Sequence, residues 1–117
     1  MPDPIQPLWS STSEPTLLAS RDRETGEFVF PPVDTTSPLA ERYDTVAIAP
    51  IGTIYSYTVI HPNPKSGEAP YALGYVDFPG PVRIFGRLGG RPRPTIGDRY
   101  AARQDDRLGY VFVATDR

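Results

Sequence analysis

Cysteine is absent from all 117 residues. Its absence excludes disulfides, thiol nucleophiles, and cysteine-ligated zinc or iron–sulfur centres. Histidine occurs once, as His61, and no carboxylates cluster beside it in sequence to complete a metal site. No apolar run approaches the roughly 20 residues of a membrane span. The opening MPDPIQPLW lacks the basic-then-apolar pattern of a secretory signal, so the expected compartment is the cytoplasm. Room for long helices is missing too. Fifteen prolines and ten glycines punctuate the chain, and a proline inside a helix removes a donor and clashes with the preceding turn. An all-β chain follows before any strand is placed.

The length fits one domain, and with 38% hydrophobic residues it can bury a modest core. Net charge is −2, unevenly distributed. Residues 1–82 carry ten acidic and four basic side chains, whereas residues 83–117 carry eight arginines against four aspartates. A chain-wide nucleic-acid footprint is therefore lacking, but a local arginine-rich face is compatible with the sequence. Eleven of the twelve basic residues are arginine, which recognises phosphate or carboxylate through a planar fork; high-GC codon usage explains such a bias equally well.

Residues 1–20 read as an extended arm with one short helical turn near Ser13–Leu18, and they hold the single tryptophan, Trp9. Trp9 has two readings: packed in a groove of its own domain, or docked on a partner subunit. Residues 21–44 form a small irregular module, with a tight turn at Thr25-Gly26 and a short strand Phe28-Val29-Phe30 stopped by Pro31-Pro32. Residues 45–117 read as a barrel. Thr45–Ile48 and Ile51–Ile60 are expected to run as one long strand with a bend at Pro50–Gly52. Tyr71–Phe78, Val82–Leu88, Arg99–Arg103 and Gly109–Ala114 follow. Five strands, the first long and bent, with a longer connection between the third and fourth, are the pattern of an OB-type Greek-key barrel.

The segments GTIYSYTVIH, APYALGYVDF, VRIFGRLGG and IGDRY together resemble the OB-fold domain of the DUF35 acyl-CoA-associated proteins. Upstream, LLASRDRETGEFVFPP is similar to that family's first zinc knuckle, a Cys-x-x-Cys-Gly followed by an apolar strand and Pro-Pro. Asp22 and Thr25 stand where its first two cysteines would be, and Ser37-Pro38-Leu39-Ala40 stands where a Cys-Pro-x-Cys would be. The resemblance, which runs from about Leu17 to the C-terminus, implies a five-stranded OB barrel preceded by an N-terminal arm and a degenerate rubredoxin-like ribbon. Thiolates supply the zinc affinity of such knuckles, so the ribbon is expected to be metal-free. The resemblance further implies a non-catalytic accessory subunit of a thiolase-like or hydratase-like acyl-CoA enzyme. No cofactor is expected to be tightly bound, and acyl-CoA would be met at a shared interface.

Alternation assigns faces along the strands. Val82, Ile84 and Leu88 fall on one side of their strand and read as core. Arg83, Phe85 and Arg87 fall on the other, an arginine–aromatic–arginine stripe on the outside of a barrel strand. Tyr55 and Tyr57 share a face opposite Ile54, and Tyr71 and Tyr75 alternate with smaller residues. A bulge would reverse the inward set, so the faces of the first two strands stay open. Tyr71 joins the candidate binding residues, and if Tyr55, Tyr57, Phe85 and Arg87 converge, the adenine and phosphates of coenzyme A suit them. Single-stranded nucleic acid uses the same chemistry, though the acidic overall balance argues against it. The plain alternative is that the tyrosines pack internally. Arg91 and Arg93, on the proline-stiffened loop GGRPRPT, are candidates for contact with a partner's anion or else solvated loop residues. His61 joins the candidate surface. As a general base it would need a partner that only the fold could bring to it. Gly86, Gly89 and Gly90 do not form a phosphate loop, because no helix with Lys-Ser or Lys-Thr follows. Asp105 and Asp106 are adjacent turn residues, not a catalytic pair.

Overall fold

The computed structural model describes residues 8–34, 36–90 and 94–115. Eight strands account for nearly all of its regular structure, with single 3-10 turns at Ala40–Arg42 and Pro64–Ser66. No helix among the described residues is long and apolar enough to cross a membrane. The chain divides into two compact units. One runs to Pro50 and takes in Pro79–Val82; the other comprises Ile51–Phe78 and the chain from Arg83 onward.

The first unit contains a three-stranded antiparallel sheet of β1 (Leu18–Asp22), β2 (Phe28–Val29) and β3 (Tyr43–Ala47), in the order β2-β1-β3. Three of the five residues of β1 are buried, Ala19, Ser20 and Asp22, and the Ser20 hydroxyl accepts the Val33 N–H at 2.7 Å. The helical turn expected near Ser13–Leu18 does not form. Pro15 and short hydroxyl side chains divert the backbone there, with Ser10 Oγ accepting the Thr16 N–H at 3.0 Å. Instead Leu8–Ser10 lies antiparallel against Thr16–Leu18, through a bridge between Trp9 and Leu17 and a hydrogen bond from Leu18 N–H to the Leu8 carbonyl at 2.7 Å. From Leu8 onward, the arm is an extension of its own unit.

The expected long strand does not form. Tyr43–Ala47 does not run on into Ile51–Ile60. It pairs with β1 over five residues, from Leu18↔Ala47 to Asp22↔Tyr43. Pro50 lacks the N–H that a ladder needs, and the chain changes sheet there.

The second unit is the barrel. β4 (Ile51–Ile60), β5 (Tyr71–Phe78), β6 (Val82–Gly89), β7 (Arg99–Asp105) and β8 (Gly109–Ala114) close in the order β4-β5-β6-β8-β7. β6 and β8 pair in parallel at Leu88↔Phe112 and Gly89↔Val113, and β7 returns to β4 to complete the circle. This is the OB-fold expected from the strand pattern. Its interior holds Ile54, Val76, Phe78, Ile84, Leu88, Tyr100 and Phe112, each no more than 4% exposed.

Candidate functional site

The outer surface of β4, β5 and β6 carries the chemistry. Pairing in β4 shifts register between Ile54 and Ser56, so Tyr55 is the extra residue of a bulge. Before it, Ile54 pairs with Val76 and both are buried; after it, Ser56 pairs with Tyr75 and Tyr57 with Gly74. Directly paired residues share a face. Gly74 faces the interior, where a Cβ would come within 3.0 Å of the buried Leu88 side chain. Tyr57 is therefore on the inward-facing side of β4, partly exposed, while Tyr55 points outward. The expectation that Tyr55 and Tyr57 share a face fails at the bulge.

Three contacts knit the outer face. The Arg83 guanidinium lies 3.4 Å over the Tyr55 ring and grips Asp77 with two hydrogen bonds, Nε to Oδ1 at 2.7 Å and Nη2 to Oδ2 at 3.1 Å. The Asp77 hydrogen bond holds Arg83 even more firmly charged than an ordinary arginine. Next along β6, Phe85 packs against Tyr75 with ring centroids 5.0 Å apart and planes at 58°, both rings more than 40% exposed. One step further, the Arg87 guanidinium sits 4.5 Å over Tyr71. The result is a row of aromatic and cationic groups running diagonally across the sheet, in an arrangement known to favour both stacking and anion contact.

The two arginines differ. Arg83 is already matched to a carboxylate. Among the described residues no carboxylate lies within ion-pair distance of Arg87, which instead borders an open hollow of about 440 Å³ lined by Tyr71, Asp105, Arg107, Leu108 and Val111 with Glu68 at its rim. A neighbouring hollow of about 410 Å³ shares Tyr71, Arg87 and Leu108 and reaches Leu73, Phe85 and Tyr110. Asp105 is tied down inside its turn by the N–H groups of Leu108 and Arg107, at 2.8 and 2.9 Å. Those bonds, with the charges of Arg107 and Arg87, keep its carboxyl below the ordinary range. Under the row, the Tyr110 hydroxyl donates to the Phe85 carbonyl at 2.6 Å, beyond the point where the β6–β8 pairing ends. Burial raises the Tyr110 hydroxyl above its usual pKa. Its ring fits only because residue 86 is glycine: a Cβ there would stand 2.7 Å from Phe112 and 2.8 Å from Tyr110.

Of the residues singled out from sequence, Tyr55, Tyr71, Phe85 and Arg87 come together on this face. Tyr57 is turned away from it. His61 is exposed immediately after β4 and does not line the hollow. Arg91 and Arg93 lie outside the described residues. Sequence reasoning passed over Asp77, Arg107, Leu108 and Tyr110. The Asp77–Arg83 pair had a signal, since the two flank a tight hairpin on the same alternation. The others reach the site only because the β7–β8 turn folds back beside β6.

The chain is similar to known proteins by family model, by sequence and by structure. Residues 45–104 match the model of the ChsH2 C-terminal OB-fold domain. The benzoylsuccinyl-CoA thiolase subunit BbsA of Thauera aromatica is 30% identical over 79 residues, covering 67% of this chain and 55% of BbsA. BbsA of Geobacter metallireducens is 29% identical over 76 residues, covering 65% and 52%. The chain thus spans about half the length of the curated relatives it matches. Among solved structures, the Ltp2-ChsH2(DUF35) aldolase matches with a TM-score of 0.62 and 28% identity, over 85% of this chain and 84% of that one. The DUF35 resemblance drawn from the sequence agrees with all three.

Proposed function

The chain belongs to the ChsH2 C-terminal OB-fold domain family, and on that premise we propose that it is a non-catalytic accessory subunit of a thiolase-like acyl-CoA enzyme. The observation that carries the reading is the row Tyr55–Arg83, Tyr75–Phe85, Tyr71–Arg87 on the outside of the barrel. Large aromatic rings stay exposed there, alternating with guanidinium groups, and aromatic residues and arginine are the types that dominate binding energy at protein interfaces. The relatives are named as a thiolase subunit and as part of an aldolase, which supports a partner of that kind.

Within this reading the two parts of the face divide the work. Tyr55, Tyr75 and Phe85, with Arg83 neutralised by Asp77, make an apolar patch for the enzyme subunit. Arg87 and Arg107 at the mouth of the hollow supply positive charge for the phosphates of an acyl-CoA bound at the shared interface, with Tyr71 as a flat ring beside them. Hydratase-like enzymes remain within the same class of partner. His61, exposed and away from the hollow, has no part in it.

Co-purification tests the proposal. The tagged chain is expressed with candidate thiolase-like and hydratase-like subunits, and coenzyme A binding is compared between the complex and the chain alone. Formation of a stable complex that binds coenzyme A more tightly than either part supports the reading; elution of the chain alone with every candidate overturns it. Single-stranded oligonucleotides provide the contrast. Binding that falls steeply with salt would point to a nucleic-acid role instead, against which the carboxylates Glu68 and Asp105 at the hollow argue.

A further inference from the structure

The family that the sequence resembles carries a zinc knuckle ahead of its barrel, and positions 22, 25, 37 and 40 of this chain stand where its cysteine ligands would be. The residues present do not fit one. Ala40 has no donor atom. Thr25 Oγ1 accepts the Glu27 N–H at 3.2 Å, and Ser37 Oγ accepts the Leu39 N–H at 3.2 Å. Among the described residues no group of three or more metal-ligating side chains converges anywhere. That leaves Asp22, whose carboxylate is only 5% exposed and already engaged on both oxygens.

Those bonds have a specific layout. Asp22 Oδ1 accepts the N–H groups of Glu24 and Thr25, at 2.8 and 3.2 Å, which closes the turn after β1. Asp22 Oδ2 accepts Arg42 Nε at 2.9 Å, and Arg42 comes from the 3-10 turn that precedes β3. A second strand of contacts follows the same path. The Arg23 N–H donates to the Arg42 carbonyl at 2.9 Å, and the Arg23 side chain pairs with Asp44 at 2.8 Å. Arg42 Nη2 lies 3.7 Å from Glu24. A buried carboxylate thus gathers two backbone donors from one turn and a cation from the other, which is the connection a metal makes between two knuckles.

We propose that the Arg42 guanidinium takes the place of the metal in this sheet, clasping the Asp22–Thr25 turn to the Ala40–Arg42 turn through the buried Asp22 carboxylate. An organic cation fixed in the chain does the work of an acquired ion. The sheet then forms without zinc supply, is indifferent to chelators, and has no thiol to oxidise. Charged groups around Asp22 are accounted for: Arg42 and Glu24 share its pair, Arg23 and Asp44 pair beside it, and the Arg21 guanidinium lies over the turn near Gly26.

The test uses the full chain, expressed in zinc-supplemented medium. Metal content is measured by mass spectrometry, and thermal melting is followed with and without a chelator. The expected result is zinc far below one per chain and an unchanged melting midpoint; stoichiometric zinc or a chelator-lowered midpoint overturns the proposal. Amide exchange then locates the clasp. In R42M and D22N, the first-sheet amides, Glu24 and Thr25 above all, are expected to exchange about ten-fold faster or more while β4–β8 keep their protection. First-sheet exchange within about two-fold of the unaltered chain in both variants also overturns it. Should a variant fail to fold, the metal measurement on the unaltered chain still decides whether an ion is the clasp.

Discussion

Phe85→Ala is the sharpest probe of the docking face. The ring is 47% exposed and packs against Tyr75 with centroids 5.0 Å apart. An aromatic side chain offers roughly 200 Å² to bury, so about 95 Å² is left for a partner to cover. At about 25 cal/mol per Å², and allowing for the area an alanine keeps, that cover is worth about 2 kcal/mol. The affinity for the enzyme subunit should then fall about 30-fold. Stability should change far less. The ring sits outside the barrel, so its removal opens no cavity, and the Phe85 carbonyl that receives the Tyr110 hydroxyl belongs to the backbone and stays. The Tyr75 contact is worth about 1 kcal/mol. Calorimetric titration of the variant against the co-purifying subunit, beside a thermal melt of the variant alone, separates the two effects. A dissociation constant within two-fold of the unaltered chain, in a variant that melts normally, would refute the assignment of this face to the partner. A large loss of melting temperature would show instead that Phe85 is part of the packing, which is the internal reading of the aromatic residues.

Gly86→Ala should lower the melting midpoint by several degrees, since its Cβ would press on Phe112 and Tyr110 at 2.7 and 2.8 Å and overpacking of this kind costs about 1–3 kcal/mol; an unchanged melt contradicts the packing described. Tyr110→Phe removes the hydroxyl that bonds the Phe85 carbonyl, with an expected cost of about 1 kcal/mol in denaturant unfolding and a smaller loss of partner affinity than Phe85→Ala. Acid should weaken the first sheet through Asp22. Burial works against its ionisation, but the Glu24 and Thr25 N–H groups and Arg42 outweigh that and leave the carboxyl below its ordinary value. Its contribution is therefore complete above the unfolded carboxylate range and is lost as pH falls through the lower folded value; amide exchange between pH 5 and pH 3 should show first-sheet protection falling in the unaltered chain, whereas D22N, its first sheet already loosened and with no carboxylate left to protonate, should show a smaller change over the same range.

The barrel was legible because its signals are local. Alternation in Val82–Leu88 separates Ile84 and Leu88 from Arg83 and Phe85, and each of these lies where the alternation puts it. The boundary at Pro50 was less so. Thr45–Ile48 has the β-branched, apolar character of a barrel strand, and only its pairing with β1 assigns it elsewhere. β1 itself hides its strand character behind charge, because Arg21 and Asp22 in a five-residue strand look like the start of a loop. The buried Asp22 is matched by Arg42, twenty residues distant in sequence.

Tyr55 and Tyr57 show the same limit at the site. Two tyrosines spaced by two share a face in any regular strand, and nothing in the pair itself announces the bulge between Ile54 and Ser56. One inserted residue sends Tyr57 inward and leaves Tyr55 under Arg83. The consequence for function is concrete. Without the bulge, Tyr57 would stand on the outer face, and the patch would lengthen along β4. With it, the patch is confined to Tyr55, Tyr75 and Phe85, and Asp77 fixes Arg83 over the end of it. The surface left for anions is then displaced toward Arg87 and the β7–β8 turn. On the proposed reading, protein docking and phosphate contact fall on different stretches of one strand, and substitutions at Phe85 and Arg87 should have separable effects: the first on complex formation, the second on coenzyme A binding by the complex once formed.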